Sequence, residues 1–137
     1  MDDAAIRSSV DFALTNEDAG PTFLHRFMGI EMSYADEVCV LTFSPQKHFS
    51  NRKGALHGGI IALLIDMSMG DLHRNAVGLG LTLETKVQFF KGVDGGKLRC
   101  ESRFLKKGKR ISFLETRVTN EANELVAAST ATWQALG

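Results

Sequence analysis

Two places in the sequence combine residue type and spacing in a way that chemistry could use. The first is Asp66, which interrupts the apolar run His57-Gly58-Gly59-Ile60-Ile61-Ala62-Leu63-Leu64-Ile65-Asp66-Met67-Ser68-Met69-Gly70. A buried carboxylate without a partner is costly, so it shifts its pKa or finds one. The positions three and four away hold Ala62, Leu63, Met69 and Gly70, none of them a cation. The partner must come from elsewhere in the fold, from another subunit or from a ligand. At about 100° per residue, Gly59, Ala62, Gly70 and His73 share the Asp66 side of a helix, while Ile60, Ile61 and Leu64 lie opposite. Small residues beside an acid suit a substrate pocket. They equally suit a structural aspartate bonded to backbone groups, with the small residues allowing close packing.

The second place is His57-Gly58-Gly59, where the same run begins. No Ser, Thr or Asp immediately precedes it to occupy the first free helix N–H groups. Glycine lets a ligand approach those groups closely, and the helix dipole adds positive potential there. A carbonyl held at Gly58 would be polarised and its oxyanion stabilised. A glycine pair also serves a tight loop-to-helix turn, so the tripeptide by itself decides little. Geometry links the two places. Gly58 and Asp66 are separated by about 12 Å of helix rise, more than an aspartate side chain spans. If both act on one reacting carbon, Gly58 of one subunit must meet Asp66 of another, which predicts a homodimer with sites at the interface.

These residues need elements to position them. The spacing of Ile6, Val10, Ala13 and Leu14 predicts a packing or capping helix over residues 3–17, ended by Gly20-Pro21. Two short strands are expected near Phe27–Tyr34 and Val38–Phe43, joined by a turn at Ala35-Asp36-Glu37. A polar loop, Ser44 to Leu56, leads into a helix from about Gly58 to His73, with Asn75 and Gly78 able to end it. Four strands follow: Leu81–Phe89, Leu98–Phe104, about Ile111–Thr119 and about Leu125–Trp133, with turns at Asp94-Gly95-Gly96, Lys107-Gly108 and Asn120–Asn123. The central helix is apolar in all directions, so it should be buried nearly all round. One antiparallel sheet of about six strands wrapped around it would do this and leave one side for a second copy.

Composition narrows the classes. The 137 residues fit a single domain, 1–137, with about 1–19 as a helical extension. Sixteen basic and sixteen acidic side chains cancel, which argues against a nucleic-acid partner. With 44% hydrophobic and 23% charged residues the chain reads as a soluble globule. The uncharged run Gly54–Ile65 falls well short of the roughly 20 apolar residues of a membrane span. The acidic start Met1-Asp2-Asp3 is unlike a secretory signal, so a cytoplasmic location is expected. Cys39 and Cys100 sit in strand-like runs and read as buried free thiols. No CxxC or HExxH spacing exists, so neither a metal nor a cofactor is expected.

The segment Asn51-Arg52-Lys53-Gly54-Ala55-Leu56-His57-Gly58-Gly59 followed by Asp66 resembles the hotdog-fold acyl-CoA thioesterases, in the branch of the phenylacetate-pathway thioesterases. The strand Leu81–Phe90, the turn Lys107-Gly108-Lys109-Arg110 and the ending Leu125–Thr132 extend the likeness over roughly residues 20–135. The resemblance implies an α+β hotdog fold, dimers that pair into tetramers, and acyl-CoA hydrolysis. It implies that the Gly58 N–H and Asn51 hold the thioester carbonyl. Asp66 would be nucleophile or general base, His57 would lie beside the carbonyl site, and Thr82 would orient the water. Gly59 would border the substrate. Phe90-Lys91-Gly92 lacks the proline, and Asn120–Asn123 the Asp-Gly turn, common in the family; both departures touch loops.

Lys106, Lys107, Lys109 and Arg110 cluster around Gly108 and read either as a clamp for coenzyme A phosphates or as a solvated hairpin tip. His25 and His48 read as surface or packing residues, and Trp133 and the phenylalanines as core. Two other functions fit the resemblance less well. An acyl-thioester dehydratase needs a histidine beside an acid, yet His57 and Asp66 are nine residues apart on opposite helix faces. A non-catalytic acyl-CoA-binding module would have no use for the acid.

Overall fold

The computed structural model describes residues 2–137; Met1, part of the expected N-terminal extension, lies outside them. The chain begins with α1 (Asp3–Thr15), whose N-terminus is capped by Asp2 Oδ1 accepting from the Ala5 N–H at 3.1 Å. Ala13 is its buried contact, while Leu14, expected on the packed stripe, is 61% exposed. Next comes α2 (Phe23–Met28), where a strand starting near Phe27 was expected. Two local devices override the strand preference of its aromatic residues. Thr22 Oγ1 accepts from the His25 N–H, and Gly29 adopts φ +65°. The Gly29 N–H donates to Arg26 O and the Ile30 N–H to His25 O, a Schellman ending that glycine alone accommodates cheaply. Arg26 then ties α2 to α1, donating to Ala13 O at 2.8 Å and Gly20 O at 3.1 Å.

Strands β1 (Glu31–Ala35) and β2 (Val38–Phe43) form the expected hairpin. Asp36 and Glu37 both have positive φ, the turn whose twist suits two-residue hairpins. After a loop comes α3 (Gly58–Ala76), followed by β3 (Gly80–Phe89), β4 (Leu98–Lys106), β5 (Ile111–Thr119) and β6 (Leu125–Ala135). The six strands make one antiparallel sheet in the order β1-β2-β4-β5-β6-β3. β3 is therefore an edge strand, reached by pairing with the last strand of the chain.

The sheet wraps α3, as expected. Ile61, Leu64, Ile65, Ser68, Met69, Leu72 and His73 of the helix are buried, together with Leu41, Phe43, Leu98, Cys100, Leu114 and Val118 from the strands. Each large aliphatic side chain so buried stabilises the fold by about 1.5–3 kcal/mol. One polar seam crosses this core. Ser68 of the helix bonds Ser102 at 2.7 Å, which bonds Thr116 at 2.5 Å, so none of the three hydroxyls is stranded. The opposite side of α3 is less covered: Ile60, Ala62, Leu63, Asp66 and Met67 are only half-buried. No helix among the described residues is long and apolar enough to cross a membrane.

Candidate active site

The amino end of α3 is held by backbone pairing on both sides. The Leu56 N–H donates to Val93 O at 2.6 Å and the His57 N–H to Phe49 O at 3.0 Å. These bonds fix where the helix begins. The His57 side chain is exposed and supplies no cap. Among the described residues the N–H groups of Gly58 and Gly59 have no hydrogen-bond acceptor. They lie at the positive end of a 19-residue helix. A Cβ on Gly58 would meet the Phe89 ring at 3.4 Å, whereas nothing lies within 4 Å of one on Gly59. Phe89 thus packs against Gly58, and Gly59 opens to space.

Asn51 sits in the preceding loop and folds it. Its Oδ1 accepts from the Lys53 N–H at 2.9 Å and the Ala55 N–H at 3.2 Å, while its own N–H donates to Ala55 O at 2.7 Å. This leaves the side-chain amide Nδ2 without a partner among the described residues, free to donate to a ligand.

Asp66 lies on the middle of α3 and is half-buried, where the apolar run predicted full enclosure. The reason is the uncovered flank of the helix. Its Oδ1 accepts from the Thr82 hydroxyl at 2.7 Å. No cation pairs with it among the described residues. The acid and the hydroxyl that the resemblance singled out are therefore in contact. Thr82 faces the helix because β3 alternates, and a bulge between Thr82 and Glu84 shifts the register immediately after it.

A cavity of about 250 Å³ opens beside Asp66. Met67, Gly70, Asp71 and Arg74 of α3 line it, with Trp133 from β6 and His25 from α2. The small-residue stripe makes this space only in part. A Cβ on Gly70 would meet Trp133 at 3.2 Å, so Gly70 receives an indole rather than a void. His73 on the same stripe is fully buried. Asp71 is a wall residue that sequence reasoning missed, and a second acid within the helix was the signal for it. It is half-buried and its Oδ2 accepts from the Cys39 thiol at 3.3 Å. Burial and the Asp71 carboxylate push the Cys39 thiol up to about 12, and burial does the same to Cys100. Both cysteines are free and buried, as expected. His25, read as a surface or packing residue, reaches the cavity and bonds Thr22 Oγ1 through Nδ1 at 2.6 Å. Its pKa is lowered chiefly by burial, with the Asp71 carboxylate opposing. His48 packs against Phe27 and Phe49. Trp133 is buried as expected, but Phe12, Phe23, Phe89, Phe90 and Phe113 are substantially exposed rather than core.

The basic turn lies at the other end of α3. Gly108 is required there, because a Cβ would strike Ile111 O at 2.1 Å. Lys107 pairs with Glu37, while Lys109 and Arg110 are exposed without ion pairs among the described residues. Lys107, Gly108 and Lys109 border a cavity of about 350 Å³ with Ala76 and Val77. Within one chain this turn is about 27 Å of helix rise from Gly58 and about 15 Å from Asp66. The chain thus brings Asp66 and Thr82 together, and keeps Gly58, Gly59, Asn51 and His57 at one end of α3 and Lys107, Lys109 and Arg110 at the other.

Known proteins place this arrangement. The family model described as the thioesterase superfamily matches residues 53–127, more than half of the chain. The "Putative esterase" of Sulfurisphaera tokodaii is 30% identical over 112 residues, covering 80% of this chain and 84% of the relative. The Bacillus halodurans protein BH2602, solved with CoA, superposes with a TM-score of 0.88 at 23% identity, covering 98% of this chain and 93% of that one. The PaaI protein of the Escherichia coli phenylacetic acid degradation operon superposes with a TM-score of 0.82 at 15% identity, covering 97% and 96%. With its antiparallel sheet wrapped around one long helix, the chain has the hotdog fold and belongs to the thioesterase superfamily.

Proposed function

We propose that this thioesterase hydrolyses an acyl-CoA thioester to the free acid and coenzyme A, in a composite site between two subunits. The observation that carries the reading is the Asp66–Thr82 pair beside a cavity, on the same helix as a distant, unpartnered Gly58 N–H. One helix cannot aim both at one carbon. Two helices related by a twofold axis can. The exposed edge strand β3, with Leu81 and Leu83 about half exposed, and the less covered flank of α3 suit burial against a second copy. Pairs of such dimers would give the tetramer.

In this reading the thioester carbonyl oxygen accepts from the Gly58 N–H, beside His57, and from Asn51 Nδ2. Asp66 of the partner subunit either attacks the carbonyl carbon or takes a proton from a water that attacks it, with Thr82 fixing the carboxylate. The tetrahedral oxyanion collapses, the carbon–sulfur bond breaks and the CoA thiolate leaves. In the general-base route it takes up the proton that Asp66 removed from water. In the nucleophilic route water then hydrolyses the Asp66 acyl anhydride, which releases the acid, regenerates the carboxylate and supplies that proton. Gly59 leaves room for the thioester, and Lys107, Lys109 and Arg110 receive the CoA phosphates. The Bacillus halodurans neighbour solved with CoA and a Streptococcus mutans neighbour bound to acetyl CoA support this ligand class.

Complementation tests the composite site. Gly58→Pro removes the N–H at a helix position that accepts proline, and Asp66→Asn removes the carboxylate. Each variant alone should release almost no thiol from a panel of acyl-CoAs. A mixed dimer of the two keeps one intact site and should regain turnover. Mixed dimers as inactive as the parents would overturn the shared site. A wild-type protein that releases no thiol from any acyl-CoA would overturn the reaction.

A further inference from the structure

The proposed reaction requires Thr82 to hold Asp66, and the structure shows what holds Thr82. It sits two residues into β3, directly before the bulge that separates it from Glu84. Upstream of the bulge the ladder pairs Gly80, Leu81 and Thr82 with Ala135, Gln134 and Trp133, so Thr82 takes its place from the start of the strand. On the upstream side stands His73, fully buried on α3 two turns beyond Asp66. Its Nδ1 bonds Gly78 O at 2.7 Å. A carbonyl only accepts, so Nδ1 carries the proton. The Val77 and Gly78 N–H groups in turn donate to His73 O at 2.8 and 3.0 Å. Side chain and backbone of one residue thus clasp the whole α3–β3 turn.

Two further contacts fix the strand laterally. The first residue of β3, Gly80, rests on the imidazole so closely that a Cβ would lie 2.5 Å from Nδ1. Trp133, opposite Thr82 in the β3–β6 register, stacks on His73 with centroids 5.6 Å apart and 26° between planes. The same indole fills the notch at Gly70, one turn beyond Asp66. We infer that His73 is a positioning residue: by clasping Gly78 and stacking on Trp133 it sets the Thr82 hydroxyl against Asp66. It touches neither the carboxylate nor substrate. This inference rests on the proposed hydrolysis for its kinetic consequence, but the Thr82–Asp66 bond is measurable without turnover.

The experiment compares His73→Phe, which keeps a stacking ring and loses the donor, with His73→Asn, whose Nδ2 can reach Gly78 O. Carbon NMR at one fixed pH reads the Asp66 carboxyl chemical shift, and initial rates read catalysis. Thr82→Ala should move that resonance, because the carboxylate loses the hydroxyl that donates to it. His73→Phe should move it in the same direction, and His73→Asn, which keeps a donor for Gly78 O, should bring it back toward wild type. In rates, His73→Phe should lower kcat about tenfold, within the roughly hundredfold range of small misplacements, and leave KM unchanged. In a Thr82→Ala background it should lower kcat no further. Gly80→Ala, which displaces the start of β3, supplies a second variant with the same expected signature. An Asp66 carboxyl resonance unchanged by His73→Phe and Gly80→Ala, while Thr82→Ala moves it, overturns the inference and leaves the hydrolase reading intact. Fully additive losses in the double variant also overturn it. Absent turnover in the wild type would overturn the hydrolase reading, and the NMR arm would still decide the role of His73.

Discussion

The two candidate regions of α3 are built in opposite ways. At its amino end, main-chain bonds from Leu56 and His57 fix the helix start, and the groups proposed to meet the thioester are chiefly backbone N–H donors. Eight residues further on, the proposed catalytic group is a side chain set among packed ones: Thr82 bonds the carboxylate, Trp133 fills the Gly70 notch and His73 stacks on Trp133 beneath the turn. The first region depends chiefly on where the backbone runs, with the Asn51 amide as its one side-chain donor. The second depends on rotamers and on the register of two strands, so small changes in packing should reach it.

Substitutions can break this contrast at either end. The largest effect is expected from Asp66→Asn, which should lose most turnover, a factor of about 10²–10⁴ or more, while coenzyme A still binds by calorimetry. Gly58→Pro should cost about 10²–10³ in kcat with little change in melting temperature, since only a donor is removed. Asn51 sharpens the point. Asn51→Asp retains the oxygen that folds the loop and deletes the Nδ2 donor, so kcat should fall while the thermal midpoint stays near wild type.

Reversing the charge of Lys109 and Arg110 lies outside both regions. It should raise KM a few-fold and leave kcat alone if the turn clamps phosphates; an unchanged KM assigns the turn to solvent. The smallest effect concerns His25 on the cavity wall. Its pKa is lowered in the fold, so below its ordinary 6.5 the unfolded chain binds more protons than the native one. The His25 contribution to stability is complete above that pH and is lost as the pH falls through it. Urea midpoints at about pH 7.5 and about pH 5 should differ less in His25→Gln than in wild type.

How much of this was legible in the chain differs by element. The alternation of β3 to β6, the hairpin turn at Asp36-Glu37 and the glycine-led start of α3 follow from local pattern and agree with the fold to within a few residues. The helix Phe23–Met28 was not foreseen, and its last two residues fell in the strand expected near Phe27–Tyr34, because two subtle cues, Thr22 as cap and Gly29 as left-handed ending, carry little weight beside apolar residues. Asp71 stands out less than Asp66 because it follows the apolar run instead of interrupting it. Gly70 was read as open space, since no helix wheel shows that an indole sixty-three residues along the chain will fill it.

By itself the sequence determined which groups are available: two acids in an apolar helix, two glycines at that helix's start, and the strands to wrap it. These are local properties, because periodicity and capping act over a few residues. Tertiary structure decided which groups meet. Thr82 reaches Asp66, Trp133 enters at Gly70 and His73 carries the turn only because β3 pairs with β6 in one register, and register is settled by the packing of the whole sheet against the helix.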